Sequence, residues 1–395
     1  MKRIIQPDYY EAFHCIGGDC PFTCCQEWKI SVDASTKKKW HHVNAPDANA
    51  YICLSDFIEK KDDTDVIRLL PDMRCPFLED SDLCRLVLDH GEEMLSETCH
   101  IFPREEHVYQ DHTEKSLVAC CPVVVDFWKD RKQISFDGDV DPLNPLHFLK
   151  EAKGETMLLL IRDLVMNILY DERYTTEEAL LSAFYTLLDI RDSFPSGALK
   201  GKDFLQYMSM EYSDRLYAAI SSMEKSPLES LKERNELFLD MTENYRQEGR
   251  YKKLLEPLCE VAEKLEDLLE EEKSREIHRI KALMEALAEA KKQQDDFFRN
   301  YLVAEIFTSL HIPGSNLYDL LMQFEWLMME YAILMQSIFL DLYHSGVFPP
   351  YERIRELLVL IARMTGYDEA DIEEYLENSF ESPIWPLGYA QFLLS

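Results

Sequence analysis

From about residue 145 the chain repeats apolar residues every three to four positions. "HFLKEAKGETMLLLIRDLVMNILYD" (147–171) and "TTEEALLSAFYTLLDIRDSF" (175–194) both carry this spacing, which predicts amphipathic helices. Thr175 or Thr176 stands where it can cap the second. Between Lys252 and Lys292, residues Leu254, Leu258, Val261, Leu265 and Leu268 form one stripe. That stripe predicts a core-facing seam, or as second choice a surface for a partner helix. "NLYDLLMQFEWLMMEYAILMQSIFLDLYHSG" (316–346) is apolar around most of its circumference and reads as a central buried helix. Its methionines Met322, Met328, Met329 and Met335 read as core filler.

The first 130 residues follow a different pattern. "KISVD" (29–33) alternates and predicts a short strand. Cys75 and Cys84 flank an acidic turn, which predicts a hairpin that brings the two thiols together. The polar stretch 129–148, with one Gly and two Pro, marks the junction between the two patterns. The expected architecture is therefore mainly α: a small, irregular, cysteine-rich domain over 1–130, then a helical domain over 145–395.

Composition narrows the function. The formal charge is −32 and the acidic excess runs through both segments, so no nucleic-acid partner is expected. Glycine numbers only 12, and neither GxGxxG nor GxxxxGK[ST] occurs. The opening "MKRIIQPDYYEAFHC" has no apolar signal core, and the most apolar run, 331–340, is too short to span a bilayer. These features predict a cytoplasmic protein with no membrane partner.

Ten of the 11 cysteines fall before residue 122, and only Cys259 lies beyond. In "CIGGDCPFTCC" four fall within residues 15–25. Pro21 suits the first position of a helical turn, which would put Cys20 and Cys24 on one face with Cys25 turned away. Cys99 is expected to end a short helix begun near Gly91. Dense thiols beside turn residues in a reducing compartment point to metal ligation rather than disulfides or inert core thiols. An iron–sulfur cluster is favoured because no CxxC pair is present, with zinc the alternative. The CxxxCxxC arrangement of reductive S-adenosylmethionine cleavage is absent. Cys53 and Cys259 read as packing residues. Arg104, after Pro103, reads as one half of a structural ion pair rather than a carboxylate anchor.

"YEAFHCIGGDCPFTCCQEWKISVD", "CPFLEDSDLCRLVLDHGEEMLSETCHIFPR" and "SLVACCPVV" together resemble the signature of the flagellin lysine-N-methylase family, and more broadly of cysteine-rich zinc- or iron-chelating domains. The helical "FFRNYLVAEIFTSLHIPG" is also similar to the family. The resemblance places candidate metal ligands at Cys15, Cys20, Cys24, Cys25, Cys75, Cys84, Cys99 and Cys121. Tyr10, Trp28, Asp33, Gly91, Glu92, Leu95, Pro103 and Arg104 fit the same pattern, while Cys53 and Cys120 are extras. It implies S-adenosylmethionine-dependent methylation of lysines on a protein substrate of the flagellin type. Methyl transfer needs a neutral amine, whereas free lysine has a pKa near 10.4. A desolvating, aromatic-lined site or a base is therefore required. Two other readings stand beside it: a metal-stabilised interaction protein without catalysis, and a redox sensor using Cys24 and Cys25.

Overall fold

The computed structural model describes residues 3–43, 53–61, 63–137, 142–143, 154–194, 199–270, 274–366, 369–380 and 382–395. Part of the junction predicted at 129–148, and the start of the helix predicted from 147, lie outside the described residues.

The amino-terminal segment is less irregular than its sequence suggests. It contains strands β1 (Arg3–Pro7), β2 (Ile58–Lys61), β3 (Thr64–Ile67), β4 (Arg104–Val108), β5 (His112–Leu117) and β6 (Phe136–Asp137). Four of them form a sheet in the order β4-β5-β1-β6, and β2 and β3 form a separate hairpin. β1 runs parallel to β5, pairing Ile4 with Thr113, while β4 is antiparallel to β5. This sheet hides from hydrophobic patterning because β5 turns His112, Glu114 and Ser116 inward, all buried. A polar inner face reads as a solvated strand until its partners are known. The predicted strand at "KISVD" shrinks to a single bridge, Ser31 to Val66.

Four short helices complete this segment: α1 (Ala34–Trp40), α2 (Arg85–His90), α3 (Glu97–Ile101) and α4 (Pro122–Asp126). The rest of the described chain is helical, as the periodicity predicts. It comprises α5 (Glu155–Leu169), α6 (Thr176–Ser193), α7 (Gly201–Phe204), α8 (Met210–Ser221), α9 (Pro227–Gln247), α10 (Lys252–Glu270), α11 (Ser274–Lys292), α12 (Asp295–Ser309), α13 (Leu317–Ser345), α14 (Tyr351–Thr365), α15 (Glu369–Ser379) and α16 (Leu387–Leu393).

Helix α13 is the central helix, with 22 of its 29 residues buried. Asn316 and Asp319 close a capping box at its start, and Gly346, at φ 75°, ends it in the left-handed region that only glycine adopts freely. The four methionines singled out above are buried in it. The 252–292 stretch is divided between α10 and α11, and the named stripe lies on α10. On α10 Leu258, Val261 and Leu265 of that stripe are buried, while Leu254 and Leu268 are half-buried and their neighbours Leu255 and Leu269 take the core positions, so the core-facing reading holds. Cys259 is fully buried on the same helix.

Burial falls into two cores. The large one draws on both sides of the predicted junction, joining Ile5, Tyr9, Leu117 and Val124 to the long helices. The small one consists of Ile30, Val32, Trp40, Leu54, Ile67, Cys75, Phe77 and Leu86. Trp40 meets Phe77 edge to face at 5.4 Å and donates its indole N–H to the Met94 carbonyl at 2.8 Å. Cys25, Cys75, Cys84 and Cys99 lie in or against this second, thin core, whereas Cys120, Cys121 and Cys259 belong to the large one.

Candidate functional site

No helix forms over residues 20–25, so the expected pairing of Cys20 with Cys24 on one helical face is corrected. The chain makes a tight 3-10 turn at Gly17–Asp19 and then runs irregularly. Tertiary contacts impose that path. The Arg363 guanidinium, on α14, donates to the carbonyls of Phe22 and Thr23, each at 2.9 Å, and to that of Cys120 at 3.1 Å. It also lies 4.2 Å over the Phe22 ring. These carbonyls are therefore satisfied without a helix. Nothing in the sequence marks Arg363: it is one of three arginines on α14, beside Arg353 and Arg355.

The two cysteine-bearing segments are joined directly. The Cys75 N–H donates to the Cys25 carbonyl at 2.8 Å, and the Glu27 N–H to that of Met73 at 2.8 Å. A Cβ at Gly18 would sit 2.7 Å from the Ser81 carbonyl oxygen, so only glycine allows this approach. The hairpin expected between Cys75 and Cys84 is present as a tight turn bridged from Leu78 to Cys84. The helix expected near Gly91 is broken in two, and Cys99 lies within α3, its N–H bound to the Ser96 hydroxyl at 3.3 Å. Asp33 caps α1 through Ser35 and Thr36 and reaches across to the Glu97 N–H at 3.0 Å. Arg104, expected in an ion pair, stacks 4.9 Å over the Phe13 ring instead.

The thiols are close enough to perturb one another. Cys25 senses Cys24, Cys75 and Cys84, and Cys99 senses Cys24 and Cys84. Cys121 senses Cys20 and Cys24, and Cys20 in turn senses Cys15. Burial pushes Cys75 up to about 12, Cys99 to about 11 and Cys121 to about 12. Cys24 moves the other way, to about 7, because the Cys25 thiol donates to it. Each of the eight predicted positions thus lies within electrostatic reach of at least one other. Among the described residues, however, no group of three or more His, Cys, Asp or Glu side chains stands at metal-holding spacing. The donor chemistry suits a thiophilic metal; the arrangement is not a closed coordination sphere.

A second feature lies in the helical body. Helices α9, α11 and α13, with the start of α6, line a half-open cavity of about 870 Å³. Met284, Leu287, Met335 and Phe339 form its apolar walls. Its polar side gathers Glu177, Arg234, Lys291, Asp295 and Tyr331. The Tyr331 hydroxyl donates to Glu177 Oε1 at 2.7 Å. Burial alone would raise the Glu177 carboxyl, but the Lys291 charge and the Tyr331 hydroxyl outweigh it and hold it below the usual carboxylate range. Arg234 donates through Nη1 to Ser230 Oγ at 2.6 Å and to the Leu393 carbonyl at 3.0 Å. Its Nε is buried without a hydrogen-bond partner among the described residues. Burial pushes this guanidinium down to about 10, partly offset by Glu177 and Tyr331. Sequence reading missed all five residues. They come from five helices or helix ends, each unremarkable in its own segment.

Residues 162–392 match the family described as the FliB lysine N-methylase C-terminal domain. The chain belongs to the FliB lysine N-methylase family. It is 34% identical over 131 residues to the flagellar biosynthetic protein FliU of Salmonella muenchen, covering 31% of this chain and 76% of that one. It shows the same identity, over the same length, to the lysine-N-methylases of Salmonella typhimurium strain LT2 and Salmonella choleraesuis strain SC-B67. Those two matches cover 31% of this chain and only 32% of each relative. No solved structure matches significantly. Among the described residues no helix is long and apolar enough to cross a membrane.

Proposed function

We propose that this protein is an S-adenosylmethionine-dependent protein-lysine N-methyltransferase acting on exposed lysines of a flagellin-type substrate. One observation carries the reading: the family match over 162–392 falls on the helices that build the 870 Å³ cavity. A pocket of that size takes a nucleoside-sized ligand together with an alkyl amine. The cavity residues suit the cofactor. The buried Arg234 guanidinium, with its spare Nε, would hold the amino-acid carboxylate. The Met284, Leu287, Met335 and Phe339 walls would shelter the adenine. When bound, S-adenosylmethionine supplies a methyl group that the amine lone pair takes as the C–S bonding electrons stay on sulfur. The protein's task is to exclude water, orient the amine and accept its proton. Glu177 and Asp295 are the carboxylates on the cavity's polar side to which that proton would pass.

We propose further that Cys15, Cys20, Cys24, Cys25, Cys75, Cys84, Cys99 and Cys121 supply the ligands of an iron–sulfur cluster, with zinc the alternative. A core of eight buried side chains is thin for the segment it holds, and a metal cross-link would add what it lacks. Amine methylation needs no electron, so this site is assigned a structural role. The Cys24 thiol, drawn down to about 7 beside Cys25, keeps a thiol redox sensor as the second reading.

Calorimetry of anaerobically prepared protein with S-adenosylmethionine tests the first proposal, followed by mass spectrometry of flagellin after incubation. Saturable binding that weakens at least tenfold in Arg234→Met, with methylated lysines in the product, is expected. No binding by folded wild type overturns it.

A further inference from the structure

The cavity already holds an alkyl ammonium, and it belongs to the chain itself. Lys291 is only 8% exposed. Its Nζ lies 3.1 Å from Glu177 Oε1, 3.4 Å from Asp295 Oδ1 and 3.3 Å from the Tyr331 hydroxyl. An ammonium has three N–H donors, and here three oxygens from three different helices surround one. The oxygens are firmly placed. Glu177 receives the Tyr331 hydroxyl, and Asp295 accepts from Thr176 Oγ1 at 2.5 Å and from Arg299 Nε at 2.6 Å. Tyr331 stands in the middle of the buried helix α13. The occupant, Lys291, stands four residues before Asp295 in the chain. Lys291 lies at the end of α11, which packs against α13 and leaves much of its length exposed. Glu177 and Tyr331 thus belong to the packed helical body, whereas the lysine between them sits on a peripheral helix. Arg234, within electrostatic reach of Glu177 and Tyr331, lines the same cavity with a buried N–H left over.

We infer that the Glu177, Asp295 and Tyr331 oxygens form the seat for the side-chain ammonium of an incoming substrate lysine, and that Lys291 fills it as an internal competitor until substrate displaces it. This rests on the lysine-methylation reading, but its test does not depend on methyl transfer. A purely structural ion pair would leave the same oxygens closed to any outside amine. In the present case a lysine side chain enters by exchange, and the enzyme's resting state is self-blocked.

The probe is N-acetyl-lysine methylamide, with the norleucine analogue, which lacks the amine, as control. Titration calorimetry on the full chain should show the lysine derivative binding to wild type, about tenfold tighter in Lys291→Ala, and at least tenfold weaker in Glu177→Gln. The norleucine analogue should gain nothing from Lys291→Ala. Thermal melts and circular dichroism check that each variant folds. An unmodified-protein measurement covers the case in which Lys291→Ala does not fold. Acylation of wild type with acetic anhydride, read by mass spectrometry, should label Lys291 several-fold faster when the Nε,Nε-dimethyl form of the lysine derivative, whose tertiary amine forms no stable amide, is present. Equal binding of the lysine and norleucine derivatives, or Lys291 labelling unchanged by the dimethyl form, overturns the inference. Absence of S-adenosylmethionine binding alongside these expected results would instead overturn the methylation reading and leave the seat standing.

Discussion

Arg162 grips Glu114 with two parallel N–H donors, Nη1 to Oε2 at 2.6 Å and Nη2 to Oε1 at 2.8 Å, and both side chains are buried. The pair joins α5 to β5 and so rivets the four-stranded sheet to the helical body. His112 Nε2 lies 3.3 Å from the same carboxylate, and Asp163 shares the guanidinium at 3.2 Å. Removing one partner strands a buried charge. Arg162→Met should therefore lower unfolding free energy by about 3–5 kcal/mol in denaturant titrations. A loss under about 1 kcal/mol, the value of an exposed pair, would contradict the rivet.

The same carboxylate sets the acid limit of the fold. Burial by itself would raise Glu114, but the charge and hydrogen bonds of Arg162, with those of His112, hold it down at about 2. Its folded value is thus depressed below the ordinary 4.5. The stability it contributes is complete above pH 4.5 and is lost as pH falls toward 2. Melting temperatures recorded between pH 6 and 2 should fall along this limb. In Glu114→Gln the same limb should be shallower, although the variant starts lower.

How much of this could be read from the chain alone depends on whether a feature is local. Periodicity located α6, α10 and α13, because each presents an apolar face whose spacing survives in the one-dimensional string. Position offered Thr175 or Thr176 as the cap of α6, and Thr175 is the one that caps it. The β4-β5-β1-β6 sheet did not appear, since its inner face is built from His112, Glu114 and Ser116 and depends on an arginine 48 residues beyond Glu114. The cysteine segments showed their composition but not their path: a helical turn at Pro21 was reasonable locally and gave way to Arg363, more than 300 residues on. The Glu177–Lys291–Tyr331 array is the extreme case, since its members meet only after the helices pack.

Glu325 is a buried carboxyl on α13 with one oxygen unpartnered among the described residues and the other accepting the Trp385 N–H at 2.6 Å. Burial raises it to about 8, only partly countered by that N–H. The sign is opposite to that of Glu114. Below pH 4.5 the group is protonated folded or unfolded, and as pH rises from 4.5 to 8 the unfolded chain gains by ionising, so the fold loses stability. Glu325→Gln keeps the acceptor for Trp385 and removes the ionisation. It should melt higher than wild type at pH 8, with the difference shrinking toward pH 5. A constant difference across that range would show that ionisation of Glu325 is not the cause.

Thr175 opens α6 with a full capping box: its hydroxyl accepts from the Glu178 N–H at 3.2 Å, and the Glu178 carboxylate accepts from the Thr175 N–H at 3.0 Å. Thr175→Ala should cost about 1 kcal/mol of global stability. Because α6 carries Glu177 at the cavity wall, the same variant should also weaken S-adenosylmethionine binding modestly. Thr175→Ser, which restores the acceptor, should recover both. Recovery of stability without recovery of binding would separate the cap from the cavity.

Metal content separates the cysteines by location. Cys84 sits at the bridged turn against the small core and senses Cys24, whereas Cys259 is fully buried on α10 with Thr242 Oγ1 as its neighbour at 3.4 Å. A thiophilic metal needs thiolates, and burial holds most of these thiols protonated in its absence, so binding must release protons and grow stronger as pH rises. Anaerobically purified wild type should carry iron with acid-labile sulfide. Cys84→Ser and Cys75→Ser should lose most of that metal and melt lower. Cys259→Ser should keep it, although a buried hydroxyl in place of a thiol lowers stability. Zinc without sulfide would keep the site and change its occupant. Full metal content in both Cys84→Ser and Cys75→Ser would remove the 75–84 turn from the metal centre and leave its contact with residues 24–25 as packing alone.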